Sequence, residues 1–182
     1  MPFFDTEIEG LKIFEPRVFE DDRGFFYESY NQNIFKAGGI EATFVQDNRA
    51  KSSFGVVRGL HYQCGIFAQA KLVSAPQGEV LDVVVDIRPG SPTFGRSFSI
   101  ILSESNKKQL FIPRGFAHGY SVLSEEAVFY YKCDNFYNKP SEGGIHCLDQ
   151  SLNIDWKIPA DKALLSEKDK LLPGLGDHIP VW

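Results

Sequence analysis

The run VLDVVVDI at 80–87 is apolar and β-branched, and RPGSPTFG behind it carries two prolines and two glycines that stop it. Four more short runs follow at roughly even spacing: SFSIIL (97–102), KQLFIP (108–113), GYSVLS (119–124) and AVFYYKC (127–133). Short strands separated by Gly/Pro turns predict an all-β sandwich or barrel rather than a parallel α/β sheet. Helical signal is sparse. QNIFKAGG (32–39) predicts one short helix ended by glycine, and ADKALLSEKDKLLPGLG in the tail allows another helical turn or two. With no repeat, linker or low-complexity block, one domain over 1–182 is the economical expectation. A barrel protects its strand edges by closing on itself or by pairing with a second copy, so a homodimer suits this pattern.

Composition narrows the partners. At 182 residues and 43% hydrophobic content the chain is large enough for one sizeable core. A formal net charge of -5 provides no global basic field to recruit nucleic acid or an anionic membrane, so an anionic ligand would be met by a local Arg/Lys cluster. No run reaches the apolar length of a membrane span. The N-terminal MPFFDTEIEG is acidic where a signal peptide is basic, so a cytoplasmic location is expected. Cys64, Cys133 and Cys147 are odd in number and lack metal-ligand spacing. The 16 phenylalanines are mainly core filling, with room for a few stacking platforms.

Polar residues interrupt the strands where a small barrel would normally be apolar. Gln46 and Asn48 share a face of TFVQDNRA; Arg58 precedes His61 by three residues in VVRGLHYQ; Lys71 opens the apolar pair of AKLV. Burying several such groups is costly unless they meet one another or a ligand. Arg58, His61 and Lys71 therefore point to a pocket that binds negative charge and moves protons. A metal-binding cupin strand would read His-x-His, whereas this one reads HYQ, with Gln63 in the second position. His118 in PRGFAHGY is too isolated to complete a facial triad, so no metal is expected. A histidine base needs its tautomer held, usually by a carboxylate. Asp47, Asp82, Asp86 and Asp169 are all candidates, and spacing does not choose among them.

The ordered motifs FEDDRGFFYESYN, FVQDN, RGLHYQ, KLV…GEVLDVVVDIRPGSPTFG, FIPRGFAHGY, YYKCDNFY and LSEKD resemble the dTDP-4-dehydrorhamnose 3,5-epimerase family over roughly Phe14 to Asp169. That resemblance implies a cupin-like jelly-roll barrel with short flanking helices that dimerises and uses no metal or organic cofactor. It implies epimerisation at C3 and C5 of a dTDP-linked 4-keto-6-deoxy sugar in dTDP-rhamnose biosynthesis. By the same resemblance His61 is the general base, Asp169 its carboxylate partner, Tyr131 the proton donor on the opposite face, and Lys71 the cation beside the developing oxyanion. Arg23, Phe26, Glu28, Gln46, Asn48 and Arg58 match the nucleotide-binding set. His118, Glu142 and Lys168 match further ligand contacts, and Tyr137 the aromatic that stacks on thymine. Arg23, Phe26 and Glu28 are the residues expected to cross between subunits. The segment NKPSEGGIHCLDQ departs from the family pattern at His146 and Cys147 and is expected on the rim.

Each residue also has a bland reading: Tyr131 and Phe26 as core, Lys168 and Asp169 as a solvated charge run, Arg23 as a turn residue, Glu142 as loop. Two other functions use the same residues. One is a C3-only epimerase of a related dTDP-keto-sugar, told apart by whether C5 exchanges its proton. The other is a non-catalytic nucleotide-sugar-binding barrel, told apart by whether loss of His61 leaves binding intact. A metal-dependent cupin oxygenase is the last alternative, separable by metal analysis.

Overall fold

The structure, a computed structural model, describes residues 2–180 and is built mainly from antiparallel strands. One six-stranded sheet runs in the order β1 (Phe3–Asp5), β2 (Lys12–Phe14), β10 (Gln109–Ile112), β7 (Lys71–Gln77), β12 (Glu126–Cys133), β5 (Gln46–Ser53). A five-stranded sheet runs β13 (Glu142–Gly144), β6 (Val57–Gln63), β11 (Phe116–Val122), β8 (Glu79–Asp86), β9 (Ser97–Ser103). A separate hairpin pairs β3 (Val18–Asp21) with β4 (Gly24–Tyr27). Among the described residues no helix is long and apolar enough to cross a membrane.

The apolar run of 80–87 forms β8, and its lack of alternation has a cause: both faces are buried. Val80 and Val84 face the other sheet, where they pack with Val73, Leu110 and Phe129. Leu81, Val83 and Val85 face outward and are covered by Ile145, Cys147, Leu152 and Trp156 from the C-terminal segment. The turn after β8 is pinned by Asp86. Its carboxylate accepts bonds from the amide and guanidinium of Arg88 and from the Ser91 and Thr93 hydroxyls. Burial pushes the Asp86 carboxyl upward, but these donors outweigh it and hold its pKa at about 2.

The expected helix is α1 (Gln32–Ala37), capped by the Asn31 side chain, which accepts from the Asn33 and Ile34 amides. It buries Phe35 against Phe14 and Phe111 on the outer face of the six-stranded sheet. The tail forms three short 3-10 turns rather than an α-helix. The expectation that NKPSEGGIHCLDQ lies on the rim is corrected in its second half. Ile145 and Cys147 are 0% and 1% exposed, because the chain after β13 bonds to the Leu60 backbone and turns beneath the five-stranded sheet. There the Trp156 indole donates to the Cys147 carbonyl at 2.7 Å.

Candidate active site

Between the two sheets lies a cleft of about 270 Å³. Strand periodicity determines its lining. On β11, Phe116, His118, Tyr120 and Val122 alternate inward, with His118 and Tyr120 reaching the cleft. On β6 strict alternation would set Arg58 and His61 on opposite faces, yet both line the cleft. A register irregularity between β6 and β11 reconciles them: His118 pairs with His61 and Tyr120 with Arg58. Gly59 sits in this step with φ +116°, and a Cβ there would stand 2.6 Å from the Gly119 Cα. Only glycine fits the crossing.

Three levels result. Gln63 of β6 and Gln46 of β5 lie at the mouth, where their side-chain carbonyls accept the backbone amides of Asn138 and Tyr137 at 3.0 Å each. His61 and His118 on one sheet and Asn48 and Tyr131 on the other form the middle. Arg58, Tyr120 and Phe129 make up the far end, with the Tyr120 and Phe129 rings stacked at 4.1 Å. Lys71, opposite Cys133 in register, lies beside the Tyr131 ring with Nζ 6.0 Å from its centroid.

The four candidate carboxylates sort themselves. Asp169 meets His61, with Oδ1 2.7 Å from Nε2. It arrives there because the tail runs along β6, where the Val57 amide donates to the Leu164 carbonyl and the Leu164 amide to the Gly55 carbonyl, and then turns at 169–171. Burial raises the Asp169 carboxyl, but the bond and charge of His61 outweigh it and hold Asp169 below the usual carboxylate range. Asp82 instead meets His118 at 2.8 Å, Asp86 holds its own turn, and Asp47 accepts from Lys132 and Tyr130 on the outer surface. Tyr131 is pushed up to about 12, first by burial and then by its neighbours Cys133 and Tyr120. Burial lowers the Lys71 ammonium, opposed by Cys133, Asp82 and Glu142.

At the mouth the Tyr137 hydroxyl donates to Glu142 at 3.1 Å, and Lys168 pairs with the other Glu142 oxygen at 2.5 Å. Tyr137 is 53% exposed, its ring open to a flat partner. Three of the expected residues are not brought here. Arg23 and Phe26 belong to the β3–β4 hairpin and line its own shallow groove, and Glu28 just beyond it accepts from Asn31. Conversely, Tyr120, Gln69 and Phe129 line the cleft without having been singled out, and Gln63, read only as the residue in place of a second histidine, lines it too. The spacing of His118 and Tyr120, two apart on one strand, was signal enough for Tyr120. Among the described residues no three His, Cys, Asp or Glu side chains converge as a metal site.

The model of a single family, described as dTDP-4-dehydrorhamnose 3,5-epimerase, matches residues 5–177. The chain belongs to that family. Its members are isomerases, and several relatives lie close. The enzyme named dTDP-4-dehydrorhamnose 3,5-epimerase from Shigella flexneri is 56% identical over 93% of each chain. A crystal structure of the enzyme of the same name from Elizabethkingia anophelis is 55% identical with a TM-score of 0.92, covering 96% of both chains. The dTDP-6-deoxy-D-glucose-3,5-epimerase of Legionella pneumophila, solved in complex with dTDP-4-keto-L-rhamnose, is 50% identical with a TM-score of 0.92. That alignment covers 96% of this chain and 93% of the Legionella one.

Proposed function

We propose that this chain inverts C3 and C5 of dTDP-4-dehydro-6-deoxy-D-glucose, giving dTDP-4-dehydro-L-rhamnose, in the middle level of the cleft. The observation that carries this reading is the placement of a carboxylate-held histidine and a half-buried tyrosine on opposite sheets facing one cleft. Both carbons flank the C4 ketone, so loss of either proton leaves an enolate with charge on the C4 oxygen. His61 takes the proton, with Asp169 holding its Nε2 side and stabilising the imidazolium. Lys71 faces the enolate oxygen. Tyr131, whose proton stays on at about pKa 12 until carbon demands it, delivers that proton to the other face. Only protons move, so the chemistry calls for no redox cofactor.

The nucleotide lies towards the mouth in this reading. Tyr137 stacks on thymine, while Gln46, Asn48, Arg58, His118, Glu142 and Lys168 position the rest. At about 270 Å³ the cleft of one chain is below the roughly 300–1,000 Å³ of ordinary ligand sites. The hairpin offers the complement. Phe19, Phe25 and Phe26 are 51%, 60% and 70% exposed on an isolated two-stranded ribbon, a form that is marginal alone in water. We infer that residues 1–182 form one cupin-like jelly-roll domain that works as a cytoplasmic homodimer. Each copy lends Arg23, Phe26 and Glu28 to the other's cleft. Proton NMR of the keto-sugar nucleotide incubated with enzyme in D2O tests the activity. Deuterium at C3 and C5 is expected; label at C3 alone makes it a mono-epimerase, and no label with dTDP bound refutes catalysis.

A further inference from the structure

Residues 134–141 carry the chain from one sheet to the other. They leave β12 at Cys133 and enter β13 at Glu142, so the segment crosses the mouth of the cleft with Tyr137 near its middle. Each landing faces a glutamine. Gln46 of β5 pairs in register with Cys133, and Gln63 of β6 pairs with Glu142. Their carbonyls accept two successive amides of the crossing segment, Tyr137 at Gln46 and Asn138 at Gln63, both at 3.0 Å. One clamp thus comes from each sheet. The Asn138 side chain in turn accepts from the Ser141 amide at 3.2 Å and the Ser141 hydroxyl at 2.9 Å, which fixes the turn that enters β13.

Gln63 has no means of acting on a ligand directly. It is 6% exposed, its carbonyl is committed to Asn138, and its Nε2 is enclosed without a partner among the described residues. An enclosed amine with no partner is unfavourable, and a methionine of similar bulk would avoid it, so what this side chain contributes is its carbonyl. Tyr137 is consequently held at three points: its amide by Gln46, the next amide by Gln63, and its hydroxyl by Glu142 at 3.1 Å. Its ring alone is left open. A stacking platform ordered beforehand binds a base more tightly, because no affinity is lost in ordering it. We propose that Gln63 is a positioning residue for the nucleotide: through the Asn138 amide it fixes the segment that presents the Tyr137 ring to the base. This rests on the reading of the cleft as a dTDP-sugar site. The position that a His-x-His strand would give to a second metal ligand here serves the nucleotide platform.

The test is Gln63→Met, close in size but without the acceptor, made alone and together with Tyr137→Ala. Calorimetry then measures dTDP and inorganic pyrophosphate binding to wild type, both single variants and the double variant. Gln63→Met alone is expected to bind dTDP about tenfold more weakly than wild type. In the Tyr137→Ala background the same change should move dTDP affinity by less than about twofold, because the platform it positions is already gone. Pyrophosphate affinity should stay level throughout. Gln63→Asn, which draws the carbonyl back by one carbon, is expected to lose the same affinity and replaces the methionine variant if that chain does not fold. Unchanged dTDP affinity in the single variant overturns the proposal. So does an equal loss in both backgrounds, or a loss shared by pyrophosphate, since either places the effect outside the Tyr137 segment. A Tyr137→Ala chain that binds dTDP as wild type does overturns the stacking reading and this proposal with it. A weakened Tyr137→Ala beside an unaffected Gln63→Met removes only the role of Gln63.

Discussion

Two histidines face each other across β6 and β11, and each meets an aspartate at under 3 Å, yet they occupy different settings. The side chain of His61 is 32% exposed to the cleft, and its carboxylate comes from a distant turn of the tail, at residue 169. The side chain of His118 is 7% exposed, and its carboxylate, Asp82, is on the neighbouring strand with no exposure at all. Burial lowers His118, with Asp82 opposing. The same pair of residue types therefore gives one dyad open to a ligand and one built into the core wall. In the proposed function it is access, rather than the dyad itself, that separates the base from a ligand-positioning support.

The comparison breaks most sharply at the groups that should matter only to His61. Tyr131→Phe is expected to cut epimerisation by about 10²–10⁴-fold while deuterium exchange continues, since His61 can return a proton to the face it came from. Simultaneous loss of exchange would make Tyr131 more than a donor. Asp169→Asn should lower kcat by about 100-fold with little change in dTDP affinity, measured by steady-state kinetics and calorimetry. His118→Asn is expected to leave buried Asp82 unpaired and cost about 3 kcal/mol in urea unfolding, with the activity loss mainly in KM. A purely kcat effect at full stability would reverse the roles assigned to the two dyads.

Subunit exchange sharpens the picture further. Mixing His61→Ala with Arg23→Ala chains should restore activity, because the heterodimer has one intact cleft served by an intact hairpin. If the mixture stays as inactive as its components, the hairpin serves its own chain. The smallest effect is in acid. Asp169 is held below its usual pKa, so its contribution is full above the unfolded value of about 4 and fades as pH falls through the lower folded value. The stability gap between wild type and Asp169→Asn should therefore narrow below about pH 4 in unfolding titrations.

Much of this was legible in the sequence. The strand runs, the short capped helix and the inward Gln46, Asn48, His61 and Lys71 follow from period-two alternation and from turn residues. The choice of Asp169 over Asp47, Asp82 and Asp86 came only through the family resemblance and not from spacing, because it depends on Leu164 of the tail pairing with Gly55 and Val57 over a hundred residues away. The burial of Ile145 and Cys147 escaped for a like reason: nothing local announces that a glycine-led segment will underlie a sheet. Arg58 and His61 share a face only through a glycine-borne register shift, which strict alternation forbids.

The most direct test of the central claim is deuterium wash-in at C3 and C5, measured side by side for His61→Asn and His118→Asn at saturating keto-sugar nucleotide. His61→Asn is expected to lose exchange by about 10³-fold or more at both carbons, whereas His118→Asn retains it within about tenfold. Exchange that survives in His61→Asn and vanishes in His118→Asn would make the buried dyad the base and contradict this account.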